Sequence, residues 1–472
     1  MRLFFPTRFS LCLLLLACAT AIATNAQQSP ESTAPKPAAR SMPPVIGPND
    51  ELAPVPEGQL LPDTTPLTGL LTPALGTPEL EHSFVTLGAQ FGSTIESPGA
   101  SAGGWYSNNY FLGNLSLVKN WRHAQTSINY SGGGYVSTDS SQGNGMYQDF
   151  SFLQDFRSAR WDFSIADAFS YLPQSQFGFA GGTNIGVPGT GSTPGVPIPG
   201  TGSGPSQDIY SATGKRYSNT AIAQANYTIS ARDSLTFSGS YQLLRFSSSG
   251  NIDNDTIIGG VGYNRQLTKL DTIGFNYTFT AYHYSGLPQS YGSQSIGFAY
   301  GRKITGRLAL QFMAGPQINS YRIPIDGNSQ VVTGFVNANL SYGLRNGAIN
   351  FSYNQGLSNG SGVLIGSQQY RTTVSATHRL GRVWSGLANF GFSRNTPIDN
   401  NSEFNTQSYN DWYFGVGVSR PFGRSVQFSA AYSANFEKAE LPGCTSGTCN
   451  TDFTQHIISL SLQWHTRPFV LH

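Results

Sequence analysis

The sequence predicts an all-β fold, a transmembrane antiparallel up-and-down β-barrel of about 18 strands, with about 16 as the alternative count. Three observations predict it. Long runs alternate apolar and polar residues, the connections sort into a short and a long set, and tryptophans gather beside the short ones.

The alternation is clearest in Ser425-Val-Gln-Phe-Ser-Ala-Ala-Tyr-Ser-Ala-Asn-Phe436. Val426, Phe428, Ala430, Tyr432, Ala434 and Phe436 share one parity; Gln427, Ser429, Ala431, Ser433 and Asn435 share the other. Successive side chains of a strand point to opposite faces, which makes one face apolar and the other wet. Asp271-Thr-Ile-Gly-Phe-Asn-Tyr-Thr-Phe279 and His456-Ile-Ile-Ser-Leu-Ser-Leu-Gln-Trp464 repeat the pattern. The runs extend about 10–14 residues, roughly twice a soluble strand and long enough for a tilted strand to cross a bilayer.

Extended along the chain, the pattern places strands at about 83–95, 108–120, 122–136, 146–157, 160–172, 214–230, 233–247, 255–268 and 270–284. They continue at about 292–304, 306–319, 331–345, 347–358, 368–380, 382–395, 406–421, 424–437 and 452–466. One set of connections is tight: Asn120-Trp-Arg-His, Ser158-Ala-Arg, Ala231-Arg-Asp, Lys269-Leu-Asp, Thr305-Gly-Arg, Asn346-Gly, Leu380-Gly-Arg and Phe422-Gly-Arg. The alternate set is longer and rich in Gly, Ser and Asn. Short turns at one rim and long loops at the other are the periplasmic and extracellular ends of a membrane barrel. Trp121, Trp161 and Trp384 sit beside tight turns, and Trp464 closes the last strand at the same rim. They form the expected periplasmic aromatic girdle, because an indole buries its ring in the interface and keeps its N–H wet.

Residues 1–26 read as a secretory signal peptide, with Arg2 and Arg8 before an apolar core and Thr24-Asn25-Ala26 at the cleavage positions. Leu15-Leu-Ala-Cys18 keeps a lipoprotein reading open. Residues 27–81 are Pro-rich and read as a disordered periplasmic linker, with docking to another envelope component as the alternative. The barrel takes 82–472. Charged residues are 11% of the chain, against roughly 25% in soluble domains. The wet face is therefore neutral. A net charge of +2 without a basic cluster gives no footing for a nucleic-acid partner. Cys444 and Cys449 bracket Thr-Ser-Gly-Thr in a secreted loop; a local disulfide is expected, ahead of a metal site or free thiols. Neither a metal nor a cofactor is expected.

Several hairpins repeat a basic residue, a tight turn and a further alternating strand: Arg302-Lys-Ile-Thr-Gly-Arg-Leu-Ala-Leu310, His378-Arg-Leu-Gly-Arg-Val-Trp384 and Ser419-Arg-Pro-Phe-Gly-Arg-Ser-Val-Gln-Phe428. On these residues the chain resembles the Gram-negative outer-membrane β-barrels over about 82–466, and is similar to porin-like barrels, some of which accompany exopolysaccharide systems. The resemblance implies a place in the outer membrane among its lipids, and assembly through a last strand ending on an aromatic residue. Ile458, Leu460, Leu462 and Trp464 match that strand; the tail His465 to His472 departs from it and makes Phe469 the alternative docking residue. Monomer and homotrimer both stay open.

In a barrel of this size the wet parity lines a lumen wide enough for water. Asn276, Thr278, Gln242, Asn337, Asn354 and Ser429 would line it with neutral hydrogen-bonding groups. Asp149, Asp155 and Asp162 share that parity beside Arg157 and Arg160, and Arg371 and Arg379 share it on a strand nearly opposite. These walls either set a transverse field or pair locally at the rims. The longest connection, about 173–212, reads as a mobile surface loop, with an inward constriction as the alternative. Its Gln176-Phe-Gly-Phe-Ala-Gly-Gly182 faintly resembles the constricting third loop of trimeric porins, but the acidic residue before Phe is absent. His123, His283, His378 and His456 are the candidates for a Ser-His-acid site, yet no nucleophile elbow or His-Glu-x-x-His pattern accompanies them. No enzyme is expected. The expected function is passive diffusion of small hydrophilic solutes; export or anchoring of surface polysaccharide, and a non-conducting structural barrel, are the alternatives.

Overall fold

An alternating strand in lipid must give every backbone N–H and C=O a partner, and only closure of the sheet removes the last unpaired edge. A computed structural model of the chain shows that closure. It describes residues 83–97, 104–138, 144–172, 209, 215–247, 251–325, 327–398, 407–423, 425–440 and 451–471.

The strands of the first half are β1 (Ser83–Glu96), β2 (Tyr106–Trp121), β3 (Ala124–Ser137), β4 (Gly145–Arg157), β5 (Trp161–Leu172), β6 (Arg216–Thr228), β7 (Asp233–Phe246), β8 (Asn254–Gln266) and β9 (Asp271–Tyr284). The second half holds β10 (Ser290–Lys303), β11 (Leu308–Ile325), β12 (Asn328–Leu344), β13 (Gly347–Ser358), β14 (Ser367–Leu380), β15 (Trp384–Pro397), β16 (Ser408–Phe422), β17 (Val426–Glu440) and β18 (Thr451–His465). A short β19 (Phe469–Leu471) follows. Each strand pairs antiparallel with its neighbours in sequence, and β1 pairs with β18 from Gly88↔His465 to Glu96↔Ile457. The fold is a closed, 18-strand up-and-down barrel.

The expected segments agree with the strands to within a few residues at most ends, and two places differ. β11 and β12 run on past the expected 319 and start before the expected 331, meeting through a two-residue connection. Asn328–Phe335 pair only with β11, and Asn328 to Val332 are exposed: this hairpin tip projects beyond the wall, and a slip in register lies between Ser320 and Ile325. The C-terminal tail does not trail away. β19 follows β18 along the same neighbour, pairing Phe469 with Val85 and Leu471 with Ser83.

Parity sorts as the alternation requires. Ile296 is 60% exposed, Phe91 57% and Phe275 54%, all pointing outward. A closed barrel with a wide field of exposed aromatic and branched side chains is solvated by lipid, since such a surface in water drives aggregation. Trp121, Trp161, Trp384 and Trp464 all face outward at the rim of two- to four-residue turns. At that rim the repeated basic residues have a structural partner. Asp233 accepts from Ser230 Oγ and Tyr263 OH, each at 2.7 Å, with Arg265 Nε 3.9 Å away. One hairpin on, Asp271 accepts from Thr268 Oγ1 at 2.7 Å and Tyr300 OH at 2.9 Å, with Arg302 Nε at 3.6 Å. Each carboxylate closes the turn on one side and ties down a cross-strand phenol on the other. The arginine contacts are exposed and add little.

Candidate functional site

The site is the barrel interior, and its walls are unequal. On β1–β7, inward side chains such as Gln90, Leu112, Leu153, Ile222 and Gln242 are buried. Tyr110, Leu112, Tyr135 and Tyr147 form one inward cluster, and Leu153, Ala166 and Ile222 another. Across the barrel, Asn337, Asn339, Ser341, Ser352, Asn354, Thr373, Ser375 and Thr377 of β12–β14 are half-buried, and Asn350, Arg379 and Leu387 are exposed. The accessible lumen follows this second wall towards the short-turn rim. Amides and hydroxyls there and nearby pair into short ladders: Ser352 with Thr373, Gln369 Nε2 to Asn395 Oδ1 at 3.1 Å, and Asn395 Nδ2 to Ser393 Oγ at 3.0 Å. Such groups exchange partners with water at little cost, which suits a neutral, wet surface.

The long-loop end is crossed by the connection between β13 and β14. It carries a 3-10 turn at Gly360–Gly362, and Gly360, Gly362 and Gly366 all have positive φ, 80°, 81° and 72°. That backbone folds the segment inward where residues with a Cβ would be strained. Ile252 N donates to Gly362 O at 2.7 Å, Tyr282 OH to Leu357 O at 3.1 Å, and Tyr284 OH to Asn359 O at 3.3 Å. Asn359 Nδ2 reaches Asn254 Oδ1 at 3.3 Å. These partners stand on or beside β8 and β9, several strands away around the wall, so the connection bridges the lumen. Ile365 packs into the inward tyrosines Tyr282, Tyr284, Tyr291 and Tyr321. The rings of Tyr284 and Tyr291 meet edge-on at 5.8 Å, as do those of Tyr291 and Tyr321 at 5.4 Å. Leu364, with no exposed area, joins Ile209, Tyr409 and Ala439 on the remaining side. One loop thereby ties together β8–β11, β16–β17 and the connection after β5.

Sequence reasoning missed this septum. The expected constriction, if any, lay in 173–212. Of that connection only Ile209 is among the described residues, and it is buried against Leu364 rather than lying on the surface. The overlooked signal is Val363-Leu-Ile365, three branched apolar residues set between glycines, which no water-exposed loop would hold at ease.

Each expected charge candidate occupies the inward face. Asp149 and Asp155 lie on β4, with Asp155 buried; Asp162 is the second residue of β5 and is exposed. Arg157 stands directly across from Asp162, so the acidic wall carries its own counter-charge. Arg371 and Arg379 face inward on β14, nine strands from β5, with Arg371 half-buried and Arg379 donating to Arg382 O at 3.0 Å. Sequence reasoning did not single out the carboxylates at the long-loop end. Glu96, Asp411 and Glu437 are buried inward residues of β1, β16 and β17. Glu96 accepts from Thr94 Oγ1 at 2.8 Å, Tyr106 OH at 2.9 Å, Asn108 Nδ2 at 2.9 Å and Gln455 Nε2 at 3.2 Å. Four donors on one carboxylate make a structural post at the β1–β18 seam. Of the four candidate histidines, His123 lies in a tight turn, while His283, His378 and His456 face outward, away from the lumen. Among the described residues no three His, Cys, Asp or Glu side chains gather as a metal site would require. Cys444, Cys449, the signal segment and the Pro-rich segment lie outside the described residues.

No family model matches the chain, and no curated protein matches it. Solved structures similar to it include Pseudomonas aeruginosa OpdQ (9% identity, 82% of this chain and 99% of that one, TM-score 0.41). The P. aeruginosa outer membrane protein opdK is similar at 9% identity (82% and 100%, TM-score 0.42), and Acinetobacter baumannii OccAB3 at 9% identity (83% and 100%, TM-score 0.41).

Proposed function

We propose that the protein is an outer-membrane channel for passive diffusion of small hydrophilic solutes, narrowed at its extracellular mouth by the β13–β14 loop. The observation that carries this reading is the accessible amide and hydroxyl wall of β12–β14, which leads from the short-turn rim up to the folded-in β13–β14 loop. Neutral donors and acceptors hold water and neutral polar solutes without demanding a charge. The barrel sits among outer-membrane lipids, is delivered by the signal peptide, assembles through its last strand, and carries residues 27–81 as a periplasmic tether. Cys444 and Cys449 staple the β17–β18 loop. The protein is a channel and not an enzyme.

The test is single-channel conductance of the refolded protein, with swelling of liposomes in neutral sugars. Steady open conductance supports the reading. A non-conducting structural barrel is the second reading, favoured by the close packing inside β1–β7. A closed pore selects it, and a closed pore that binds polymer selects polysaccharide export or anchoring. Within the channel reading, Arg371 and Arg379 place positive charge on the inward face of β14, while Arg157 stands across from Asp162 on the opposing wall. Arg371→Gln with Arg379→Gln is expected to move the reversal potential in a salt gradient towards cation selectivity. An unchanged potential would remove these two residues from the permeation path.

A further inference from the structure

Among the described residues, the outward face has one charge that lipid does not explain. Asp167 lies on β5 at the parity of Trp161, Phe163, Ile165 and Phe169. It stands six residues from Trp161, and a strand tilted by about 40° climbs roughly 2.5 Å per residue along the membrane normal. That puts its carboxylate about 15 Å inside the girdle, near the middle of an apolar band about 25 Å tall. The other outward carboxylates whose side chains are described, Asp233, Asp255, Asp271 and Glu440, stand within two residues of a strand end. Asn219 of β6 donates its amide to Asp167 Oδ1 at 2.9 Å and reaches Ala168 O at 3.4 Å. The second carboxylate oxygen takes no hydrogen bond among the described residues.

The wall beside this pair is flat. Ala223, Gly239 and Gly259 sit in one register row across β6, β7 and β8, and a Cβ built on Gly259 would meet nothing within 4 Å. On the next two strands, the outward residues Tyr277 and Ile296 of β9 and β10 are bulky. An acyl chain fills a shallow depression but brings no donor to a carboxylate. A protein surface brings both, and an ionisable group at this depth calls for a protein partner. The patch carries an acceptor and a donor side by side, Asp167 and Asn219, which makes it complementary to itself under a two-fold rotation.

We propose that the β5–β7 face is the contact with a second copy of this chain, an isologous seam in which each copy's Asn219 turns the N–H that reaches Ala168 O at 3.4 Å to the second carboxylate oxygen of the other copy's Asp167. The small-residue row lets the two walls approach closely enough for that exchange. The seam depends on the barrel spanning the membrane and not on its conducting, so a closed channel leaves it standing.

A single Ala223→Cys placed in a Cys444→Ser, Cys449→Ser background, treated in membranes with a short bis-maleimide, is the direct test. A two-fold seam sets Ala223 beside its own copy and gives a covalent dimer. A control cysteine at Ile296, on the outward face of β10, gives none. In mild detergent the wild-type barrel is expected to migrate as a dimer, and Asp167→Leu and Ala223→Trp as monomers with unaltered conductance per barrel. If Ala223→Trp fails to fold, Asn219→Leu takes its place. A monomeric wild type together with absent cross-linking at Ala223 overturns the proposal, as does a dimer that Asp167→Leu leaves intact.

Discussion

Deleting Gly360 to Ile365 is expected to leave a folded barrel whose single-channel conductance is higher by about twofold or more, with larger neutral sugars admitted. The deletion is unusually well defined. Ser358 and Ser367 are already register partners, so joining Asn359 to Gly366 leaves an Asn-Gly pair across an existing rung. Asn-Gly is the residue pair a two-residue type I′ hairpin favours, which preserves the local twist of β13 and β14. What is lost is Val363, Leu364 and Ile365, and with them the bridge from Gly362 O to Ile252 N. Leu364→Asp is the milder form of the same experiment. It removes roughly 2–3 kcal/mol of apolar burial and places a carboxylate beside Ile209, Tyr409 and Ala439, so the loop should undock and the current should flicker. An unchanged conductance in both variants would show that the narrow point lies elsewhere.

The wall was readable because lipid and water impose a period of two on every strand, and the turns between strands have only a few workable lengths. Trp121, Trp161, Trp384 and Trp464 then oriented the ends, and parity placed Asp149, Asp155, Asp162, Arg371 and Arg379 inside. The contents of the lumen were not readable in the same way. A loop that folds inward has no periodicity, and its partners, Tyr282, Tyr284 and Tyr321, are remote in sequence and look like ordinary strand aromatics until the sheet is closed. The reach of β11 and β12 was underestimated for a related reason: beyond the membrane both faces of a hairpin meet water, and alternation fades while pairing continues. Asp167 was legible by parity all along. Attention to inward charges passed over the carboxylate that the same counting places on the lipid side far from either end of its strand.

The sharpest test of sidedness substitutes adjacent residues of one strand. Ile296 is 60% exposed on the outward face of β10, opposite Tyr277 near mid-height. Ser295 is inward, opposite Thr278 on one neighbour and Gln317 on the other. Ile296→Arg puts a guanidinium into the apolar band, where a lipid-facing cation costs roughly 2–4 kcal/mol near the midplane. That is a loss of about 30- to 1000-fold in the folding equilibrium, since each 1.4 kcal/mol is tenfold. It is read as a shift in the urea midpoint for refolding into vesicles. Ser295→Arg meets water and neutral amides instead, and is expected to hold stability within about 1 kcal/mol while moving the reversal potential towards anions. A soluble barrel would give the reverse order, because a surface arginine at Ile296 would then be nearly silent and the buried one at Ser295 costly. Equal effects at the two positions would break the assignment of faces on which the channel, the septum and the seam at Asp167 all depend.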